Sequence, residues 1–381
     1  MRLGTWLPFE QVPEALAWFT HVAVSAETAR RVTEAAGAAL VAAETATVEQ
    51  LEQQWPAPPG VPTTRQQLSV DGAMVPLVHG EWAEVKTLAV GRVERRGPDL
   101  HATDLSYFSR LADVDTFTRL AWGELHRRGL TLAPDVCALV DGADWCQTFL
   151  DRRCPQAVRI LDFPHAAEYV SEAAQAMFGA GTAEASEWLG QHLHRLKHEE
   201  PAPVLAALAA LPVAESLTPQ AAAAKRDSAV GYLTARLAQI QYAQFRAAGY
   251  PIGSGAVESA NKLVVEARLK GSGMHWARAN VNPMVALRAA ACSDRWPETW
   301  ARLWQQWGQQ RTERHRQRQA VRHPAPPPPP VAPPPGPPRA ARAAVARLPL
   351  RRSREERPAP DHPWRKPFLR RPRQESTPAK T

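Results

Sequence analysis

The sequence predicts an α/β fold, and three observations carry that reading. Apolar and polar residues alternate over Gln67–Val75 and Glu84–Val93 as in half-buried strands. Short apolar runs at Val136–Val140 and Ala157–Leu161 each end at an aspartate. From His165 to Ala248 the chain is dominated by Ala, Leu, Gln and Glu, which favour helix. Strands interleaved with helices in this order argue for a mixed architecture, not an all-α one.

In chain order, residues 10–54 read as wholly helical. Gln11–Phe19 reads as one helix, His21–Ser25 as a turn and Ala26–Ala36 as a second helix, with Ser25 as N-cap and Gly37 as C-cap. Two short helices about a tight turn resemble a helix-turn-helix exposing Thr28, Arg30 and Arg31; an ordinary helical hairpin fits equally, and Glu27 and Glu34 weigh against DNA there. Pro56–Pro62 reads as a linker. The two alternating strands follow, joined by a turn around His79–Gly80, then a candidate third strand at Leu105–Phe108 and a helix over Val114–Arg128. Val136–Val140 reads as a buried strand ending at Asp141, Asp144–Arg152 as a helix, and Ala157–Leu161 as a strand ending at Asp162. After the helical stretch, Gly253-Ser254-Gly255 leads into a helix over 257–270. Val257, Ala260, Val264 and Ala267 would form its apolar face, and Glu258, Asn261, Lys262 and Arg268 a second one. Ala286–Ala291 and a Trp-rich helix over Trp296–Trp307 close the folded part; Trp296, Trp300, Trp304 and Trp307 recur at helical spacing and read as a packed face.

The net charge of +8 is unevenly placed. Arg311 to the end carries 18 Lys and Arg against 5 Asp and Glu, a net +13, which leaves residues 1–310 at 28 against 33, a net −5. The same tail holds 18 of the 36 prolines, so it reads as extended or disordered, with salt-sensitive, sequence-blind affinity for DNA. Cys137, Cys146, Cys154 and Cys292 form no CxxC pair and read as structural free thiols in a reducing compartment. No charged-then-apolar leader and no run of 18 apolar residues occurs, which gives the expectation of a soluble cytoplasmic protein.

Asp71 and Asp141 each follow an apolar run and precede glycine, where a strand-ending turn is the simpler explanation of either one alone. Together with a helix-borne Glu258 they make a more specific set. Two divalent ions need bridging and flanking carboxylates to activate water and stabilise a leaving oxygen, and Mg²⁺ is served by a few carboxylates with water and phosphate completing its shell.

At these residues the chain resembles bacterial insertion-sequence transposases of the DDE type, in the Kra-type group related to the Mutator-like superfamily. The carrying segments are SVDGAMVPLVHGEWAEVKTLAVGRV (69–93), LVDGADWCQTFL (139–150), RILDFPHAAEYV (159–170) and PIGSGAVESANKLVVEARLKGSGMHW (251–276). The resemblance spans residues 1–308, and the last segment is its most specific motif. It implies an RNase-H-like, retroviral-integrase-type core with Asp71 on the first strand, Asp141 after the fourth and Glu258 on a late helix. In that frame residues 1–55 are a helical DNA-binding segment and 56–65 a linker. Residues 66–165 and 250–310 form the split core, 166–249 an all-α insertion and 311–381 the tail. The implied cofactor is a pair of Mg²⁺ ions, with Mn²⁺ able to substitute. The implied partners are terminal inverted repeats, target DNA and further copies of the chain, with no membrane.

Asp162 and His165 match a D-x-x-H signature of that superfamily and would support the metal site; an Asp capping the following helix, with a locally bonded His, is the plainer alternative. Asp144 is more simply a first-turn acid. Lys262, Arg268 and Lys270 are candidate phosphate contacts against the alternative of a solvated face. Trp276 is a candidate base contact, although an isolated Trp more often fills a core. His275 stands where the family commonly has Arg. The abrupt start and the unusual tail suit a truncated or decayed copy that binds DNA without catalysis, and a structure-selective nuclease would use the same acids; both are alternatives to an active transposase.

Overall fold

The computed structural model describes residues 1–97, 99–212, 219–253 and 255–322. Ser254 and the segment from His323 onward, which holds the proline runs of the tail, lie outside the described residues. Strands β1 (Gln66–Pro76), β2 (Trp82–Arg96), β3 (Asp99–Arg110), β4 (Val136–Val140) and β5 (Val158–Leu161) form one mixed sheet, ordered β3-β2-β1-β4-β5. The first three are antiparallel neighbours; β4 runs parallel to both β1 and β5. The fold is therefore mixed α/β, with most residues in helices.

Because side chains alternate across a strand, the sheet feeds cores on both faces. Leu68, Val70, Leu88, Val136, Ala138 and Val140 pack against α4 (Val114–Arg127) and α5 (Asp144–Arg153), around Phe117 and Phe149. On the other face Cys137, Leu139 and Ile160 lie among α6 (Phe163–Phe178), α7 (Ala183–His198), α8 (Pro201–Ala209), α9 (Pro219–Ala235) and α10 (Tyr242–Ala247). Beside them Ala73, Val75, Val85 and Ala89 are covered by α11 (Gly255–Ala260), by a π-helical turn over Asn261–Glu266 that runs into α12 (Ala267–Leu269), and by α13 (Arg278–Cys292). β4 is buried along its whole length, as a central parallel strand must be.

Several sequence expectations change at this level. The N-terminal helices are α1 (Arg2–Trp6), α2 (Val12–Thr20) and α3 (Ala26–Gln54). Ser25 does cap α3, its Oγ accepting from the Thr28 N–H at 3.1 Å. Gly37 does not end the helix: it sits mid-helix because a Cβ there would collide with the Pro283 backbone of α13. That close approach is what glycine permits, and it turns the expected short second helix into one 29-residue element docked on α13. Asp71-Gly72 is no turn either, since β1 continues paired with β2 through Pro76. The third strand is longer than Leu105–Phe108, and α13 longer than Ala286–Ala291.

The final helix, α14 (Trp296–Arg322), extends well into what reads from sequence as disordered tail. Its four tryptophans do not share a packed face. Trp296 is buried beside Leu303, whereas Trp300 and Trp304 are exposed, their rings tilted against each other at 5.6 Å. Among the described residues no helix is long and apolar enough to cross a membrane.

Candidate active site

β1 and β4 pair only as far as Leu68 and Ala138, so the two strands part just before Asp71 and just before β4 ends. Such an opening beyond the carboxyl end of a parallel strand is where α/β sheets accept ligands. A cavity of about 230 Å³ lies there, lined by Asp71, Asp141, Asp162, His165, Glu168 and Glu258. A second cavity of about 310 Å³, beside α3 and α4, holds Glu124. Burial works against that carboxylate, but Arg295 at 3.2 Å and Arg127 at 2.5 Å neutralise it and hold its pKa low, so it is a structural ion pair.

Asp71 points to the face covered by α11 and the π turn. Its Oδ1 accepts from the Gly72 N–H at 2.7 Å and its Oδ2 from Asn261 Nδ2 at 2.8 Å. Burial, with Asp141 and Glu84 adding like charge, pushes the carboxyl up to about 6 in spite of those two donors. Asn261 itself is buried, and its Oδ1 has no partner. Sequence reading put Asn261 beside Glu258 without giving it a task; three-residue spacing on a helix was the available signal.

Asp141 is held by its backbone and by its turn. Oδ1 accepts from the Ala143 N–H at 2.9 Å and from the Cys146 thiol at 3.4 Å. Its carbonyl accepts from the Tyr232 hydroxyl at 2.5 Å, and Arg236 Nη2 donates to the Gly142 carbonyl at 2.7 Å. The Arg236 guanidinium also covers the Tyr232 ring at 3.8 Å, so α9 clamps the end of β4. Gly142 takes φ +81°, a left-handed conformation that favours glycine.

Glu258 is exposed on α11, with no hydrogen bond or ion pair among the described residues. The π turn directly after that helix explains why the expected apolar face goes out of phase. Val257, Ala260 and Val264 are buried as expected, but the wider turn leaves Ala267 exposed and buries Val265 and Arg268. Arg288 stabilises the distortion, Nη2 donating to the Leu263 carbonyl and Nη1 to the Thr5 carbonyl at 3.4 Å.

Asp162 is buried, and its side chain makes no cap hydrogen bond to α6. Its N–H donates to the Val140 carbonyl at 2.9 Å, tying the ends of β4 and β5 together. His165 stands one turn later, Nδ1 3.5 Å from Glu168, its ring edge-on to Tyr169 and Tyr232.

The DNA-contact candidates separate into two groups. Arg268 is buried between Phe9 and Trp276, and burial beside Arg288 lowers its pKa to about 10. Trp276 is buried too, its indole N–H donating to the Leu269 carbonyl at 3.2 Å. Both are core residues, not surface contacts. Arg30 is tied to Glu27 and Glu34, and Lys270 to Glu266 at 2.8 Å. Arg31 and Lys262 are exposed and form no ion pair among the described residues. Asp144 is fully exposed, 3.9 Å from Arg236.

The cavity lining offers carboxylates and one imidazole, with neither Lys nor Arg. That donor set, whose like charge adds to the burial that raises Asp71, fits a hard divalent cation with oxygen ligands. Among the described residues no three acid, imidazole or thiol groups close on one point. An ion held here would have to draw much of its shell from water or phosphate oxygens, as Mg²⁺ can. No protein-family model matches the sequence, and no curated protein matches it either.

Proposed function

We propose that the chain is a DDE-type transposase that cleaves and joins DNA at the ends of an insertion sequence. The observation that carries this reading is that Asp71, Asp141 and Glu258, far apart in sequence, line one cavity. They do so from the first strand, the end of the fourth and a late helix, the positions the resemblance implies. The helices α6 to α10 fill the stretch between Asp162 and Pro251 as the expected insertion would, which supports an RNase-H-like description of the sheet and its cover.

Asp71, Asp141 and Glu258 would hold two Mg²⁺, with Asp162 and His165 alongside. Bound there, the ions would activate a water or a 3′-hydroxyl and stabilise the leaving oxygen. The chain's own residues set the conditions. Asn261 and the Gly72 N–H fix the Asp71 rotamer, and the proton that Asp71 retains below about pH 6 must leave before both its oxygens can bind an ion. Tyr232 and Arg236 hold the Asp141–Gly142 backbone. Among the described residues Glu258 carries no hydrogen bond or ion pair to break before it engages. Terminal repeats and target DNA are the substrates, approached past Lys262 on the same helical segment, and the working form is a multimer on DNA.

The test incubates purified protein with Mg²⁺ or Mn²⁺ and labelled DNA from the ends flanking its own gene, with Glu258→Ala in parallel. Site-specific 3′-hydroxyl ends that vanish in the variant, followed by joining to a second DNA, are the expected result. Cleavage without joining would assign a nuclease instead, and binding without metal-dependent cleavage a copy without catalysis.

A further inference from the structure

The second half of α14 is a helix with a charge problem. From Gln309 to Gln319 every residue is exposed. Arg311, Arg314 and Arg318 follow at i, i+3 and i+7, with His315 between them, so they stand in one row. The single acid in this stretch, Glu313, faces Arg316 at 3.7 Å and Gln317 at 3.1 Å. Among the described residues none of the three arginines in the row has an acidic partner; Arg314 reaches only the Gln310 side chain, at 3.4 Å. Like charges at this spacing destabilise an isolated helix, and from Gln309 to Gln319, unlike the first half of α14 with its buried Trp296 and Leu303, neither a buried face nor a set of i,i+4 ion pairs offsets them. An external polyanion would. The preceding 310 residues, at net −5, supply no general positive field of their own.

We infer that Arg311, Arg314 and Arg318 on α14 form a binding face for the phosphate backbone of duplex DNA. The seven steps from Arg311 to Arg318 span about 10 Å of helix axis. Over that length a duplex presents a phosphate about every 3.4 Å per strand, so three guanidiniums can each meet one. Guanidinium suits the task because its planar fork matches phosphate geometry. The half-buried Trp307 stands one turn before Arg311, where the helix leaves the body of the protein. The face rests on the reading of DNA as substrate, and it differs from a disordered basic tail in being an ordered row with named members.

The test is binding of the full chain to a 30-base-pair duplex of arbitrary sequence, about 50 to 300 mM salt, read as the slope of log affinity against log salt. Arg311→Gln, Arg314→Gln and Arg318→Gln are combined in one variant; glutamine keeps the helix propensity. Arg339→Gln, Arg342→Gln and Arg347→Gln make the charge-matched control. Each phosphate contact contributes about 0.9 to the slope, so the first variant is expected to lower it by about 2.7 and the control by much less. Amide exchange from Gln309 to Gln319 in the unaltered chain should slow when duplex is added. An unchanged slope in the α14 variant, or an equal fall in both variants, overturns the face while leaving DNA as partner. Failure of the unaltered chain to bind duplex even at low salt removes both.

Discussion

The same dipeptide, Asp-Gly, occurs in both halves of this site and is put to opposite uses. In β1, Asp71-Gly72 lies mid-strand, where Gly72 pairs with Lys86 and its missing Cβ leaves room for the end of the Glu84 side chain. Asp71 is consequently a desolvated acid, pushed up to about 6. After β4, Asp141-Gly142 is a left-handed turn, and its aspartate is held by turn N–H, thiol and tyrosine hydroxyl groups. Strand pairing decides the difference. β1 has β2 to pair with beyond the branch point, whereas β4 runs out of partners and must turn. One acid is thus tuned by burial, and the other is positioned by the geometry of its turn.

Replacing each acid by its amide breaks this comparison most sharply. Asp71→Asn and Asp141→Asn should each lower metal-dependent strand cleavage by about 10³-fold or more, the scale of losing about 4 kcal/mol at the transition state. Their effects on stability should differ. The folded-state pKa of Asp71 lies above its ordinary 3.8, so the favourable contribution belongs to the protonated form. That contribution is complete below 3.8 and is lost as pH rises through about 6. At pH 8 the unaltered protein therefore carries a strained charge, and Asp71→Asn should stabilise it by about 2–3 kcal/mol, read by urea denaturation without metal. The amide can be accommodated because Asn261 has an unused Oδ1 and can flip to accept from it. Asp141→Asn keeps its Oδ1 acceptor and should change stability little. If both amides stabilised equally, the contrast between the two sites would be wrong.

The glycines sharpen the comparison at lower amplitude. Gly142→Ala puts a Cβ at positive φ, against the Tyr232 hydroxyl and 2.8 Å from Arg236 Nε, and should cost about 1–3 kcal/mol in thermal or urea unfolding. Gly72→Ala meets the Glu84 side chain from Cγ at 2.9 Å outward, with no backbone among its three nearest contacts and no positive φ, and should cost less, about 1 kcal/mol. The alternation over Gln67–Val75 carries the first strand through Gly72 and the run Val136–Val140 stops before Gly142, but neither pattern gives the left-handed φ of Gly142 or the Tyr232 and Arg236 that close on it, and that marks the limit of what was legible. The strands, the two buried parallel runs and the acids ending them could be read because period-2 alternation and short apolar runs are local signals. Glu258 could be placed on a helix for the same reason. The long α3 could not be read in full, because Gly37 reads as a cap, and the Pro283 backbone whose close approach accounts for a glycine there is far away in sequence. Nor could the π turn that buries Arg268, which depends on Arg288 reaching the Leu263 carbonyl. The length of α14 was hidden by composition: its arginines belong by count to the proline-rich tail and by conformation to the helix before it.

The smallest expected effects come from the groups that hold each acid, and they should differ in kind. Tyr232→Phe removes the donor to the Asp141 carbonyl while Arg236 still holds Gly142, so the loss should be about 0.5–1.5 kcal/mol of stability and a few-fold in cleavage rate. Because that bond ends on a peptide carbonyl and not on the carboxylate, the pH dependence of cleavage should keep its acid limb near 6. Asn261→Ala removes a donor from the Asp71 carboxylate itself. With burial then less opposed, the Asp71 pKa should rise further and carry the acid limb up by about one pH unit, the equivalent of one charge-assisted hydrogen bond of about 1.5 kcal/mol. Rate-against-pH curves for the two variants, measured side by side at subsaturating Mg²⁺ so that ionisation of the metal-free protein governs the rate, read the difference directly. A limb that moves in Tyr232→Phe but not in Asn261→Ala would assign the titration to Asp141 and reverse the roles of the two aspartates.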